Sequence, residues 1–230
     1  MERTNPVNGS DIIRWILIPA AFSLLVTLVR LIGELLHWSE KWFSMTTTGI
    51  MPSGASWVVD ISWLALPFGI YFALKIAAIG DTPPRMRRAV RASVLGVIIM
   101  VGGLYFLIPN LSIESPTNFI FVLLVMAAAA AVQWLGWPAL FKTLLAYGLT
   151  ARVPVVIIMF FAMLGNWGTH YDYAGMPAQF QMSLWPKFFW LAFFPQLIFW
   201  VGFTVVMGSL AGSVATAIVY YRRRAVQTVS

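Results

Sequence analysis

The polar side chains that could carry out chemistry together are few, and they come from three separate stretches of the chain. They are Arg30, Glu34, His37, Asp60, His170 and Asp172. Two imidazoles and one or two carboxylates make a plausible metal-ligand or acid–base set. Neither histidine belongs to an H-x-x-x-H or H-E-x-x-H arrangement, however. The pattern is therefore better explained by two solvated interfacial histidines, and no metal or cofactor is predicted.

Arg30 and Glu34 are spaced so that they can form an ion pair within one helix. Four residues separate them, which places both side chains on the same helical face. Asp60 is a competing partner for Arg30. The group could gate an ion or a substrate, or it could be a structural pair that lets a helix tolerate charge near an interface. Because arginine before glutamate is the less favourable order at this spacing, we expect Asp60 to couple more strongly to Arg30.

The composition of the chain is that of a membrane protein. Of its 230 residues, 60% are hydrophobic and only 10% are charged, whereas a soluble domain is roughly half apolar and a quarter charged. The net charge of +7 does not indicate nucleic-acid binding. The basic residues lie at the ends of apolar runs, where anionic lipid headgroups attract them.

The apolar runs predict an all-α bundle of six transmembrane helices in one domain, several of them kinked by proline. The approximate spans are 12–36, 57–79, 89–108, 119–137, 153–167 and 188–220. Gly148 and Pro154 are expected to mark a turn before the fifth span, with Arg152 on its inner side. Residues 138–152 either continue the fourth span at a new angle or lie along the interface. With these spans, no ionisable residue falls near the membrane midplane, which argues against a proton pump.

Two basic segments orient the predicted bundle. Four arginines follow Pro83, and three more follow the last apolar run: Arg85, Arg87, Arg88, Arg91, Arg222, Arg223 and Arg224. Loops rich in Lys and Arg stay on the cytoplasmic side. We therefore predict that both termini are cytoplasmic, that these arginines contact lipid headgroups, and that the membrane is a bacterial cytoplasmic membrane.

A stripe of small residues on the last span predicts close helix packing. Gly208 and Gly212 form a G-x-x-x-G pattern, and Thr216 extends it. The partner could be another helix of the same chain or a second copy of the protein.

These patterns predict a small integral membrane protein without enzymatic activity. It would act as a partner or scaffold subunit of a membrane complex, or in the translocation of a small solute. The alternative is a membrane-embedded enzyme, or a metal- or cofactor-binding subunit, that uses the outer cluster of His and carboxylate residues. Expected partners are the lipid bilayer and other membrane subunits, or a homo-oligomer formed through Gly208 and Gly212, but not nucleic acid.

Overall fold

The protein is almost entirely helical. The structure, a computed structural model, describes residues 7–44, 47–48, 51–52, 54–83, 85–110, 116–173 and 182–227. The α-helices in these ranges are α1 (Gly9–Leu35), α2 (Ala65–Ala78), α3 (Met86–Asn110), α4 (Pro116–Gly136), α5 (Pro138–Gly165), α6 (Leu184–Lys187) and α7 (Val201–Gln227). Short 3-10 helices cover Gly54–Val59, Ser62–Leu64 and His170–Asp172. The two-residue strands Thr47–Thr48 and Met51–Pro52 pair antiparallel.

The last four helical segments join into one helix of 44 residues, Leu184–Gln227. Between α6 and α7 the backbone is π-helical over Phe188–Phe193 and Pro195–Trp200. Pro195 has no N–H to donate, so the regular α-helical hydrogen-bond ladder is interrupted there. π-Helical turns are rare in proteins, and those that occur are often found at functional sites.

Residues 138–165 differ from the sequence-based prediction. A turn was predicted between Gly148 and Pro154, but α5 runs unbroken through both residues as a helix of 28 residues. One face of this stretch packs against neighbouring helices, whereas Leu149 and Val153 on the opposite face are exposed. A Cβ atom built on Gly148 would lie 3.2 Å from a Val201 side-chain carbon of α7. Tertiary packing therefore outweighs the local preference of glycine and proline for a turn, and Trp137 alone connects α4 to α5.

Five helices are long and apolar enough to cross a membrane. They are Gly9–Leu35, Met86–Phe106, Asn118–Gly136, Pro138–Gly165 and Leu184–Gln227. A sixth apolar segment, Ser62–Ala78, is shorter, because the predicted second span begins in the structure with 3-10 turns rather than with α-helix. The five long helices support a membrane location, whereas the six-span count and the cytoplasmic termini stay predictions.

The distribution of side chains is the reverse of that in a soluble protein. Large apolar residues point outward, for example Ile18 at 77% and Ile98 at 59% exposure, while Arg30 is only 2% exposed. A surface of this kind matches a hydrocarbon solvent, and ionisable residues within membrane bundles usually face the interior. α7 packs against α2, α3, α4 and α5, while α1 packs against α5.

The small-residue stripe of α7 packs within the same chain. A Cβ atom on Gly212 would lie 2.6 Å from the carbonyl oxygen of Gly69 in α2, and one on Gly208 would meet Leu144 of α5. Only glycine allows these backbones to come so close. Thr216 is buried on the same stripe, and its hydroxyl has no hydrogen-bond partner in the described part of the chain. Because α2 covers this face, homo-oligomer formation through it, which stays untested, would require α2 to move.

Candidate functional site

Arg30 lies inside the bundle and contacts two carboxylates. Its Nε is 3.0 Å from Oε1 of Glu34, one helical turn later in α1, and its Nη1 is 3.1 Å from Oδ2 of Asp60. Both ion pairs expected from the sequence are therefore present. The third guanidinium nitrogen, Nη2, is buried and has no hydrogen-bond partner among the residues that the structure describes.

Glu34 joins Arg30 to a histidine that is distant in the sequence. The backbone N–H of His170 donates to Oε2 of Glu34 at 3.0 Å. The imidazole Nδ1 of His170 lies 2.7 Å from the same oxygen and 2.6 Å from Oε1. The Glu34 side chain is fully buried, whereas that of His170 is 17% exposed. These contacts satisfy the carboxylate that would otherwise be costly to bury.

Asp60 and Ser62 connect Arg30 to a second buried arginine, Arg152. The backbone N–H of Ser62 donates to Asp60 at 2.6 Å, and Nη2 of Arg152 donates to the Ser62 hydroxyl at 2.9 Å. Nη1 of Arg152 donates to Oε1 of Gln196 at 3.1 Å. The π-helical backbone holds Gln196 in this position and also places Trp200, whose ring centroid is 5.0 Å from the guanidinium carbon of Arg152.

Arg30, Glu34, Asp60, Arg152 and His170 are called the buried charged cluster below. Its two guanidinium groups balance its two carboxylates, provided that His170 is neutral. Partial burial and the positive charge of Arg30 lower the pKa of His170 below its ordinary value, and its hydrogen bond with Glu34 opposes this effect. We therefore take the imidazole as neutral, with Nδ1–H donating to Glu34 and Nε2 carrying a free lone pair.

Arg152 is the member of the cluster that sequence reasoning missed. It was assigned to an inner turn, but it lies near the middle of α5, about 21 Å along the helix axis from Pro138 at 1.5 Å per residue. It is only 4% exposed. The prediction that Arg152 lies in an inner turn is therefore wrong, because the residue is buried within a helix. An arginine with apolar residues on both sides was the available signal, and the neighbouring Gly148 and Pro154 obscured it.

Tyrosines continue the polar network into the bundle. The hydroxyl of Tyr171 donates to the backbone carbonyl of Thr27 at 3.1 Å. Burial raises the pKa of Tyr171, so the phenol stays protonated and keeps this donor. Further along α1, the hydroxyl groups of Ser23 and Tyr147 are 2.8 Å apart. Hydrogen-bonding groups thus extend along the buried face of α1 over several turns.

Two predicted site residues lie apart from the cluster. Asp172 closes its own turn, because its carboxylate accepts from the backbone N–H groups of Gly168 and Thr169. His37 follows the end of α1 with a φ of 50° and is exposed. No contact joins His37 to His170 in the described residues, and no group of three or more His, Cys, Asp or Glu side chains there could hold a metal ion.

The basic residues assigned to lipid headgroups are all exposed at helix ends. Arg85, Arg87, Arg88 and Arg91 surround the start of α3, and Arg222, Arg223 and Arg224 lie in the last turns of α7. This placement is compatible with headgroup contact.

Comparison of the chain with protein-family models, with curated proteins and with solved structures found no match, so its function is argued from the geometry of the buried charged cluster.

Proposed function

We propose that this protein is an integral membrane protein that binds a small anionic solute at the buried charged cluster and moves it across the bilayer. The observation that carries the proposal is Arg30, which is 2% exposed and whose Nη2 has no hydrogen-bond partner among the described residues. Ionisable residues inside membrane bundles are costly and usually mark substrate or ion pathways.

The chemistry of the cluster favours an anion. Guanidinium groups bind carboxylates and phosphates through a planar fork of N–H donors. Arg30 and Arg152 supply two such groups, and Asp60 with Ser62 links them. In the absence of solute, Glu34 and Asp60 accept hydrogen bonds from Arg30. Gln196 and Ser62 accept those of Arg152. An anionic solute would bind Nη2 of Arg30, which no described residue contacts by a hydrogen bond, and would compete with Glu34 or Asp60 for Nε and Nη1.

The elements that hold the cluster can respond to such competition. Arg30 and Glu34 belong to α1, Asp60 precedes α2, Arg152 belongs to α5, and His170 lies in the connection after α5. An anion that displaced Asp60 from Arg30 would weaken a contact between α1 and the segment that precedes α2. The solute would then shift the packing of helices around its own site.

Proteoliposomes test the proposal directly. Uptake of chloride, inorganic phosphate and succinate would be measured for the wild type, Arg30→Gln and Lys41→Gln, alongside the thermal stabilisation of detergent-solubilised protein by each anion. We expect at least one anion to be taken up and to stabilise the wild type and Lys41→Gln, whereas Arg30→Gln loses both effects. Lys41→Gln is the matched control, because this substitution removes the same charge from an exposed position.

If all three proteins behave alike with every anion, the cluster is a structural lock. The predicted role as a partner or scaffold subunit then becomes the better account.

A second candidate function follows from the contact between His170 and Glu34. A carboxylate that orients Nδ1–H leaves Nε2 free to act as a general base, the arrangement found in many hydrolytic sites. Arg30 could stabilise developing negative charge beside it. Hydrolysis of p-nitrophenyl esters and of p-nitrophenyl phosphate by the wild type, but not by His170→Asn, would support the enzymatic alternative. Equal rates for the two proteins would exclude it for these substrates.

A further inference from the structure

An apolar groove lies between the start of α3 and the end of α7, far along the chain from every member of the buried charged cluster. It has a volume of about 510 Å³. Its lining consists of Val90, Val214, Ala217, Ile218, Tyr221, Arg222 and Ala225. The α7 residues follow the spacing of a single helical face, so the groove runs along the helix and includes an arginine near its C-terminal end.

The basic residues are placed at one end of this groove. Arg222 lines it directly, about 12 Å along α7 from Val214 at 1.5 Å per residue. On α3, Arg87 precedes Val90 by three residues and therefore lies on the same helical face. Arg91 follows Val90 immediately, and all three arginines are exposed. The groove is thus apolar along its length and positively charged at the end where the helices leave the predicted membrane core.

We propose that this groove is a binding site for one anionic phospholipid. An acyl chain lies along Val214, Ile218 and Tyr221, and the phosphate is held by Arg222 together with Arg87. Tyr221 fits this arrangement, because tyrosine prefers the membrane interface, where its ring is apolar and its hydroxyl contacts water. The predicted cytoplasmic leaflet is also the one that carries anionic lipids.

A second copy of the chain is a poorer occupant. Most homodimers are two-fold symmetric, so the same patch of both copies would meet. Arg87 and Arg222 of one copy would then face the same cations of the other, which is unfavourable near an apolar interface. A phospholipid instead supplies negative charge at the basic end and hydrocarbon along the remainder of the groove.

Native mass spectrometry of the full-length protein tests this site. Phosphatidylglycerol and, separately, phosphatidylcholine would be titrated into detergent-solubilised protein, and the affinity of the first bound lipid would be measured. Ala217→Trp fills the groove, and Arg222→Gln removes its basic residue. The matched controls are Val219→Trp and Arg14→Gln, which make the same changes at exposed positions outside the groove.

We expect the wild type to bind one phosphatidylglycerol more tightly than phosphatidylcholine. Arg222→Gln should weaken phosphatidylglycerol binding by about five-fold, the effect of one arginine near an anionic surface. Ala217→Trp should abolish the tight site, while both controls behave like the wild type. Equal binding of the two lipids, or equal loss in the groove variants and their controls, would overturn the proposal. It would also fail if Ala217→Trp converted a dimer in the same spectra to a monomer, because a second copy would then occupy the groove.

Discussion

Arg30 has two carboxylate partners, and their burial predicts which one couples more strongly. The sequence favoured Asp60, because arginine before glutamate is the weaker order in an exposed helix. In the structure, however, the Glu34 side chain is fully buried, whereas that of Asp60 is 22% exposed. Water screens the Asp60 pair more strongly, so we now expect the larger coupling between Arg30 and Glu34.

We predict that Arg30→Ala costs about 3–5 kcal/mol of stability, because it leaves two carboxylates without their cation. Lys41→Ala, a surface change, should stay within about 0.5 kcal/mol. Double-mutant cycles measured by unfolding in detergent would give the two coupling energies. A coupling to Asp60 that is larger than the coupling to Glu34 would contradict the argument from burial.

His170 makes the stability of the protein depend on pH. Its pKa is lowered in the folded protein, with Arg30, Glu34 and Asp60 as the nearby charges. The unfolded chain, with an ordinary histidine pKa of about 6.5, therefore binds a proton before the folded protein does. The stabilising contribution of the neutral imidazole is complete above about pH 6.5 and is lost as the pH falls from there toward the folded pKa.

We predict that the wild type loses more thermal stability between pH 8 and pH 5 than His170→Asn does. Asparagine can keep a donor near Glu34 but cannot titrate. His37→Asn, at an exposed position outside the cluster, should retain the pH dependence of the wild type. The same slope in His170→Asn as in the wild type would show that other groups cause the effect.

At the level of elements, close contact between α2 and α7 depends on glycines. A Cβ atom at Gly212 would lie 2.6 Å from the Gly69 carbonyl oxygen and 2.8 Å from Cβ of Ala73, whereas one at Gly102 in α3 would meet nothing within 4 Å. The same substitution should therefore have opposite effects at these two helical positions.

Gly212→Ala is predicted to destabilise the protein by about 1–3 kcal/mol through overpacking. Gly102→Ala should instead stabilise it by about 0.5–1 kcal/mol, because alanine restricts the unfolded chain more than glycine does. Thermal unfolding of both variants in one detergent gives the comparison. Destabilisation of similar size in both would mean that the packing of α7 on α2 is looser than the structure implies.

The predictable parts of the fold and of the candidate site were those determined by local sequence. The helical, apolar character of the chain follows from its composition. The Arg30–Glu34 pair follows from helical spacing. The contact between Glu34 and His170 joins residues 136 positions apart and depends on how α5 and its following turn pack on α1. No local pattern encodes that contact.

The path of α5 could not be predicted for a related reason. Gly148 and Pro154 locally favour a turn, yet both lie within one helix that packs against several neighbours. Packing determines the structure there, and it also moves Arg152 from a predicted loop to the interior. A member of the buried charged cluster was therefore assigned to the wrong environment, and its contacts became visible only in the folded protein.

For the whole molecule, the main open prediction is the number of spans, and it depends on the shortest apolar segment, Ser62–Ala78. If that segment crosses the membrane, the chain has six spans. Ser39 and Ser183 then lie on one side, and Arg87 and Gln227 lie on the other. Arg152 is buried and no longer counts as a cation of the inner side. The inner side still has far more Lys and Arg residues than the outer side, so the predicted cytoplasmic orientation keeps its basis.

Cysteine labelling can determine the number of spans. Because the sequence contains no cysteine, each introduced cysteine is the only thiol that can react. Single variants Ser39→Cys, Arg87→Cys, Ser183→Cys and Gln227→Cys, all at exposed positions, would be treated in intact cells with a maleimide that cannot cross membranes. We predict labelling of Ser39→Cys and Ser183→Cys in intact cells, and of the other two only after permeabilisation. If Ser39→Cys and Arg87→Cys are labelled from the same side, Ser62–Ala78 does not span the bilayer. Asp60 and Ser62 would then belong to a re-entrant segment. Such segments are tolerated in membranes where they line a polar site.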